Sequence, residues 1–512
     1  MAEPFYITTA ISYPNGRPHI GHAYEAIATD AIARYQRLNG RDVFFMTGTD
    51  EHGLKMAQAA RARGIEPQQL ADEMSGYFRE MDDTLNISYD RYIRTTEPAH
   101  HAASQALWQA MADNGDLYLG RYEGWYSVRD EAFYDEKEIV LGEGGERLSP
   151  QGTAVEWTVE ESWFFRLSAY ADRLLALYEE QPGFIRPEGR RNEVVSFVRG
   201  GLSDLSVSRT SFDWGVPVPG SPGHVMYVWV DALTNYLTGI GYPEKPATYE
   251  RFWPADLHII GKDIVRFHAV YWPAFLMSAG LPLPQQVFGH GFVLNRGEKM
   301  SKSAGTGIDP LTMAQTYGVD QLRYYLLREV SFGQDGSYSH EAIVTRANAD
   351  LANGLGNLAQ RCLSMIAKNC GGVVPEASGV EEAGEALFAA IEAAEQAMHQ
   401  AMGSLALHAA LAMIWEAVSA ANVYFAEQAP WTVRKTDPVR ADQILYVAAE
   451  AVRRIAILTR WAIPKSSDAL LDQLGQQPEA RDFAALSRPL VQGTPLPPPQ
   501  GVFPRWVEPV TA

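Results

Sequence analysis

Residues 5–22 read FYITTAISYPNGRPHIGH, and the chain continues AYEAIATDAIARYQRL to position 38 before Asn39-Gly40. Residues 5–13 are β-prone, Pro14 to Pro18 is a turn, and Ile20, Tyr24, Ile27, Ile32 and Tyr35 recur at helical spacing. The stretch therefore predicts strand, tight loop, helix. Working outward, a second apolar run, Val43 to Met46, leads into TGTD at 47–50, and helical stretches follow from Leu54 and from Pro67. Such alternation predicts a parallel sheet with crossover helices, whose ligands collect at the carboxyl ends of the strands.

From about Leu117 the chain changes to short aromatic pieces, RYEGWYSV and EAFYDEKEIVLGEGGERL, punctuated by glycine as β-hairpins are. We read residues 117–219 as a mixed β/α insertion that includes a helix from Phe164 to Tyr178. VMYVWVDAL and LHIIGKDIV then resume the α/β pattern. Beyond Ser339 helical periodicity dominates: Leu387, Ile391, Met398 and Met402 share one face, and after Gly403-Ser404 a new stripe runs Leu407, Leu411, Ile414, Val418, as in a helix bundle. The proline-rich end, GTPLPPPQGVFPRWVEPVTA, is expected to lie extended on a neighbouring surface.

Composition narrows the function. At 512 residues and 46% hydrophobic, the chain can bury two or three cores. A net charge of -19 argues against wrapping duplex DNA or adhering to an acidic membrane, so any nucleic acid must meet a local basic patch. Residues 346–512 hold 13 Lys and Arg against 17 Asp and Glu, which makes the helical part the less RNA-repellent one. The two cysteines, Cys362 and Cys370, exclude a disulfide framework and point to a cytoplasmic chain. The longest apolar candidate, Ala269 to Pro284, is too short and too proline-rich to span a bilayer.

Two motifs carry chemistry. His19-Ile20-Gly21-His22 opens a helix, where unpaired backbone N–H groups and the positive end of the dipole attract phosphate, and Gly21 admits a nucleotide. A histidine pair alone is more often a helix cap. Lys299-Met300-Ser301-Lys302-Ser303, flanked by Gly297 and Gly305, is a basic loop able to close on a triphosphate and stabilise charge on departing pyrophosphate. Five letters matched by chance in such a chain has a probability on the order of 10⁻⁴, and here they follow HIGH in the expected order.

HIGH followed by KMSKS resembles the class I aminoacyl-tRNA synthetases, and the surroundings resemble the methionyl-tRNA synthetase family over nearly the whole chain. AISYPNGRPHIGH resembles that family's opening strand and loop. TGTDEHG at 47–53, YVWVDALTNY at 227–236 and IIGKDIVRFH at 259–268 resemble its methionine and adenylate segments, and NGLGNLAQR at 353–361 and EQAPW at 427–431 its anticodon-binding helices. The resemblance implies a Rossmann-type parallel sheet split by an insertion and followed by an α-helical anticodon-binding bundle. The divisions are 1–116 and 220–290 (catalytic halves), 117–219 (insertion), 291–345 (KMSKS loop and stem-contact region), 346–495 (anticodon-binding) and 496–512 (tail). It implies ATP, Mg²⁺, L-methionine and tRNA(Met) as partners, without DNA or membrane, and catalysis by His19, His22, Lys299 and Lys302.

Chemical reasoning supports particular residues. An amino acid's ammonium needs a carboxylate, which Asp50 can supply, with main-chain contacts from Ile11. A thioether needs a soft apolar pocket, which Tyr13, Trp229, Tyr236, Ile264 and His268 can form; the resemblance adds Leu233. For ATP the resemblance implies Glu25 and Asp263 near the ribose hydroxyls, Gly261 admitting the adenosine and Val293 contacting adenine through its backbone. Trp431 offers a stacking platform for an unpaired base, and Asn357 and Arg361, four apart, can read base edges from one helix face. The cluster Arg186, Arg190, Arg191 and Arg199 receives no role.

The chain departs from the family in its insertion. Ser127 and Asp130 stand where many relatives have zinc-binding cysteines, and LSPQGTAVEW at 148–157 has neither Cys nor His. Neutral serine is a poor zinc ligand, so a metal-free knuckle is expected, held by Trp125, Phe133, Tyr134 and Trp157. The chain ends soon after VFPRWVEPV, without the C-terminal barrel that dimerises some relatives, so a monomer is expected. Competing readings are another class I synthetase, a nucleotidyltransferase of similar fold, and a noncatalytic RNA-binding relative.

Overall fold

Burial on both faces decides the first strand. The structure, a computed structural model, describes residues 2–129, 132–142, 144–295, 298–299 and 308–508. In Pro4–Thr8 (β1) the side chains of Phe5, Tyr6, Ile7 and Thr8 are all buried, as in a sheet covered on both sides. β1 pairs in parallel with Asp42–Thr49 (β2), Phe5 opposite Val43 and Ile7 opposite Phe45, and on its other edge with Leu257–Gly261. β2 pairs with Arg91–Arg94 (β3), and Leu257–Gly261 with Val287–His290, which takes Ile185–Arg186 at the far edge. All these pairings are parallel. The chain builds to one side of β1 and then to the other, which leaves a crevice at the strands' carboxyl ends.

Ile20–Leu38 (α1) begins and stops where the residues dictate. His19 caps its start, Ile20, Tyr24, Ile27 and Ile32 are buried, and Gly40 takes a φ of 79° just beyond the C-cap. β1, in contrast, ends at Thr8, short of the expected 5–13. The continuing chain is strapped along β2 by Thr9 N–H to Met46 O (3.1 Å) and Ser12 N–H to Gly48 O (2.9 Å), and Asp50 N–H returns to Ser12 O (2.9 Å). On the other edge of β2, Gly48 permits the close approach of β3: a Cβ there would fall 1.9 Å from Ile93 O.

The span 117–219 contains a four-stranded antiparallel sheet, in the order Leu205–Ser206, Glu156–Phe165, Leu117–Ser127, Ala132–Tyr134. The helix expected from Phe164 starts later. Phe164 and Phe165 finish a strand opposite Tyr118 and Leu117, and the α-helix runs Ala171–Glu180. Ile185–Arg186, within the same span, is the edge strand of the parallel sheet.

The two helices Glu382–Gly403 and Leu407–Gln428 bury their expected stripes against each other and against Pro438–Thr459. Leu407–Gln428, rather than 269–284, lies in the one described segment long and apolar enough to cross a bilayer by composition; its Leu407, Leu411, Ile414, Val418 and Phe425 are buried in the bundle. Cys362 is buried and Cys370 partly so, both free. Fully buried Arg323 ties the layers together, donating to Asp30 Oδ2 on α1 (2.6 Å), Leu85 O (3.2 Å) and Ala462 O (2.9 Å). Near the end of the chain, Trp506 N–H donates to Asn348 Oδ1 (2.8 Å), its indole N–H donates to Thr316 O (3.2 Å), and Phe503 is buried.

Candidate active site

Charge, imidazole and aromatic groups meet in a cavity of about 830 Å³ at the carboxyl ends of β1, β2 and Leu257–Gly261. Its wall includes Ile11, Tyr13, His19, Gly21, His22, Glu25, Asp50, Trp229, Leu233, Tyr236, Gly261, Asp263, Ile264, His268 and Val293, every residue expected to hold ATP or the amino acid except Lys302. Lys302 lies outside the described residues. The backbone of Lys299 is placed in Glu298–Lys299, antiparallel to Val293–Asn295. On the far side of that segment, Ile308 O accepts from Ile20 N–H at 3.0 Å, so the chain re-enters beside the first residue of α1.

The two histidines cap the helix and face the cavity at once. His19 Nδ1 accepts from Gly21 N–H (3.0 Å) and His22 Nδ1 from His19 N–H (3.1 Å), with ring centroids 3.9 Å apart. With both Nδ1 atoms accepting, each neutral ring carries its proton on Nε2, a donor suited to phosphate oxygens. Gly21 is needed locally, because a Cβ there would lie 2.9 Å from the His19 ring.

The other end of the cavity is apolar. Trp229 and Leu233 project from the helix Val228–Thr238, and Trp229 stacks on Phe267 at 3.8 Å and 8°. Tyr236 O–H donates to His268 Nε2 (2.7 Å), while His268 Nδ1–H donates to Ile264 O (3.0 Å), which fixes that tautomer. Burial pushes the His268 pKa down to about 4 against the pull of the Ile264 carbonyl, so this wall is uncharged at neutral pH. Behind it, Asp231 on the same helix bridges His52 Nδ1 and His100 Nε2, each at 2.7 Å, and all three are buried. Burial works against Asp231's charge, but the two imidazoles hold its pKa below the usual carboxylate range. The helix is thereby locked to the loop that carries Asp50.

Several wall residues escaped the sequence: Phe267, His290, Phe292, and, from the insertion, Arg129, Gln151 and Thr153. His290 is the most consequential. Its Nε2 lies 2.7 Å from Glu25 Oε2 and its Nδ1 2.7 Å from Gly291 O, while Glu25 Oε1 accepts from Ala10 N–H at 3.0 Å. Burial opposes a charged ring, but Glu25, the Gly291 carbonyl and Asp263 outweigh it and raise the pKa.

Comparison with known proteins gives the same reading. Residues 5–144 and 147–363 match the family of tRNA synthetases class I (M), and 374–508 match the anticodon binding domain of methionyl tRNA ligase. The chain belongs to the methionyl-tRNA synthetase family. It is 63% identical over 507 residues to the methionine–tRNA ligase of Brucella suis biovar 1 (strain 1330), covering 99% of this chain and 98% of that one. The methionine–tRNA ligase of Rhizobium meliloti (strain 1021) is 60% identical, with 99% of each chain covered. The Mycobacterium tuberculosis methionyl-tRNA synthetase in complex with methionyl-adenylate superposes with a TM-score of 0.96 at 58% identity, covering 98% of this chain and 100% of that one.

Within this synthetase, the two insertion segments in which the sequence predicts no zinc site are joined by hydroxyls. Ser127 Oγ is 2.7 Å from Thr153 Oγ1, which is 2.8 Å from Ser149 Oγ, all buried. Among the described residues no group of three or more His, Cys, Asp or Glu could hold a metal ion; Asp130 and the Phe133 side chain lie outside them. Tyr134 and Val155 form the small buried core with Trp125 against it. Trp157 touches Trp125 edge-on at 5.2 Å but is 52% exposed, so it flanks this core rather than filling it.

In the helical domain, Arg361 lies 5.0 Å from the ring centroids of both Trp431 and Phe425. Trp431 is 42% exposed, and Asn357, also exposed, sits one turn before Arg361 on the helix Asn357–Asn369. Arg190 and Arg199 are paired with Glu193 (2.7 Å) and Glu179 (3.7 Å), and Arg191 donates to Tyr178 O (2.9 Å).

Proposed function

We propose residue roles for the synthetase's reaction, in which L-methionine is activated by ATP and transferred to tRNA(Met). One observation carries the assignment: two imidazoles on a helix start, a carboxylate and an uncharged aromatic pocket line one continuous cavity. The methionine thioether lies among Trp229, Leu233, Tyr236, Ile264 and His268, with Tyr13 beside it. Its ammonium meets Asp50 and the backbone of Ile11. ATP enters as its Mg²⁺ salt, with its phosphates on His19 and His22, its ribose near Glu25 and Asp263, and its adenosine between Gly21, Gly261 and Val293.

The methionine carboxylate attacks the α-phosphorus in line, the bond to the β-phosphate oxygen breaks, and pyrophosphate leaves with the electron pair. The Nε2–H donors of His19 and His22 and the ammonium groups of Lys302 and Lys299 bear the developing charge. The terminal ribose hydroxyl of tRNA then attacks the mixed anhydride, loses its proton and releases AMP. Asn357, Arg361 and Trp431 read the anticodon. The knuckle works without zinc, and the enzyme acts in the cytoplasm.

Methionine-dependent exchange of labelled pyrophosphate into ATP, run across all twenty amino acids, tests this. Methionine alone is expected to support it; exchange driven by leucine or cysteine instead would move the assignment to another class I synthetase. Lys302→Ala is expected to slow adenylate formation by about 100-fold or more while methionine binds within about twofold of wild type.

A further inference from the structure

His290 sits between two acceptors. Gly291 O has no proton to give, so the hydrogen in its 2.7 Å contact with Nδ1 belongs to the ring. Nε2, at 2.7 Å from Glu25 Oε2, needs a proton as well, since a lone pair there would face a carboxylate oxygen. Glu25's other oxygen already accepts from Ala10 N–H, so a lone pair of that oxygen is turned to the backbone. Both ring nitrogens therefore carry protons. The groups facing the ring are Glu25 and the edge of Tyr24 from α1, Asp263 from the turn after Leu257–Gly261, and uncharged Phe332, 6.3 Å away.

We propose that His290, held as an imidazolium, is a positioning residue for the nucleotide: it fixes Glu25 Oε2, while Ala10 N–H holds Oε1, and it cancels a carboxylate charge that would otherwise repel the polyphosphate. Besides Asp50, the carboxylates Glu25 and Asp263 line the cavity shared with the HIGH histidines. A polyanionic substrate entering beside them gains from a buried cation that is locked to one of them, because the pair presents acceptors for ribose hydroxyls without a net charge. The inference rests on the nucleotide lying at this end of the cavity.

Two variants and one spectrum test it. His290→Gln keeps a donor toward Glu25 and loses the charge; its KM for ATP is expected to rise about tenfold or more, with the methionine Kd, measured by equilibrium dialysis without ATP, within about twofold of wild type. The wild-type KM for ATP climbs on the alkaline side as the imidazolium loses its proton, and His290→Gln lacks that limb. With ¹⁵N-labelled histidine, the wild type shows a ring protonated on both nitrogens at pH 7.5 that is absent from His290→Gln and singly protonated in Glu25→Gln. An unchanged KM for ATP in a folded His290→Gln, or no such doubly protonated ring, overturns the proposal. If Glu25→Gln raises the KM for ATP and His290→Gln does not, only this inference falls; if neither does, the nucleotide's placement falls with it. Should His290→Gln not fold, the wild-type and Glu25→Gln spectra decide.

Discussion

His268 takes up a proton only at a cost, because its ring is 2% exposed and Tyr236 O–H already occupies its one lone pair. Its pKa, pushed down to about 4, compares with 6.5 for an exposed ring. Above pH 6.5 neither folded nor unfolded chain protonates it, so the site costs nothing. Between 6.5 and 4 the unfolded chain binds the proton that the folded one refuses, and stability is lost as the pH falls, on the order of 3 kcal/mol in all. Buried His258, whose pKa is also lowered, adds a loss of the same sign. The difference between wild type and His268→Gln isolates the one residue. Urea unfolding at pH 7.5 and pH 5 is expected to show a larger acid loss for wild type than for the variant; equal losses would mean that the ring is charged in the fold. Methionine affinity, meeting a neutral wall throughout, is expected to stay flat from pH 8 to about 6.

At the scale of elements, the helix Val228–Thr238 positions Trp229, Leu233 and Tyr236, and its orientation is set by Asp231 between His52 and His100. Asp231→Ala leaves two buried imidazoles without their acceptor. The variant is expected to lose about 3 kcal/mol in urea unfolding and to bind methionine more weakly, since the loop bearing Asp50 loses its tie; unchanged stability and affinity would show the triad to be idle. The pocket itself was readable because each segment supplies its residues locally: HIGH at a cap, TGTD at a strand end, Trp229 and Tyr236 two turns apart. The failures have long-range causes. Phe164 and Phe165 look helical until Tyr118 and Leu117 pair with them. Two residues, Ile185–Arg186, are too few to show a period, and only Val287 and Phe288 opposite make them a strand. His290 lies at the end of a strand with no local sign that Glu25, 265 positions earlier, closes on it.

At the scale of the whole molecule, the proposed catalytic and anticodon-reading residues occupy separate surfaces on one connected frame. Arg323 joins α1 to the helical region through Asp30 and Ala462, and Tyr35 at the far end of α1 meets His399 Nδ1 at 2.6 Å. Among the described residues the cavity wall ends at Val293, whereas half-buried Arg361 and exposed Trp431 lie on the helical domain. Replacing either should therefore leave chemistry intact and weaken only recognition of the RNA. Arg361 lies 5.0 Å from the Trp431 ring, so it both orients that ring and lends it positive charge. A base stacked on such a platform is worth about 1–3 kcal/mol, which for Trp431→Ala corresponds to a loss of roughly 5- to 150-fold in kcat/KM for tRNA(Met). Methionine-dependent pyrophosphate exchange, measured in the same preparation without tRNA, is expected to stay within about twofold of wild type. Arg361→Ala is expected to lose affinity in the same direction and, combined with Trp431→Ala, to add less than the sum of the two, because one platform is being dismantled twice. Additive losses would separate the two residues' roles, and an equal fall in exchange would show that the helical domain acts on the catalytic cavity through the Arg323 link rather than on the anticodon.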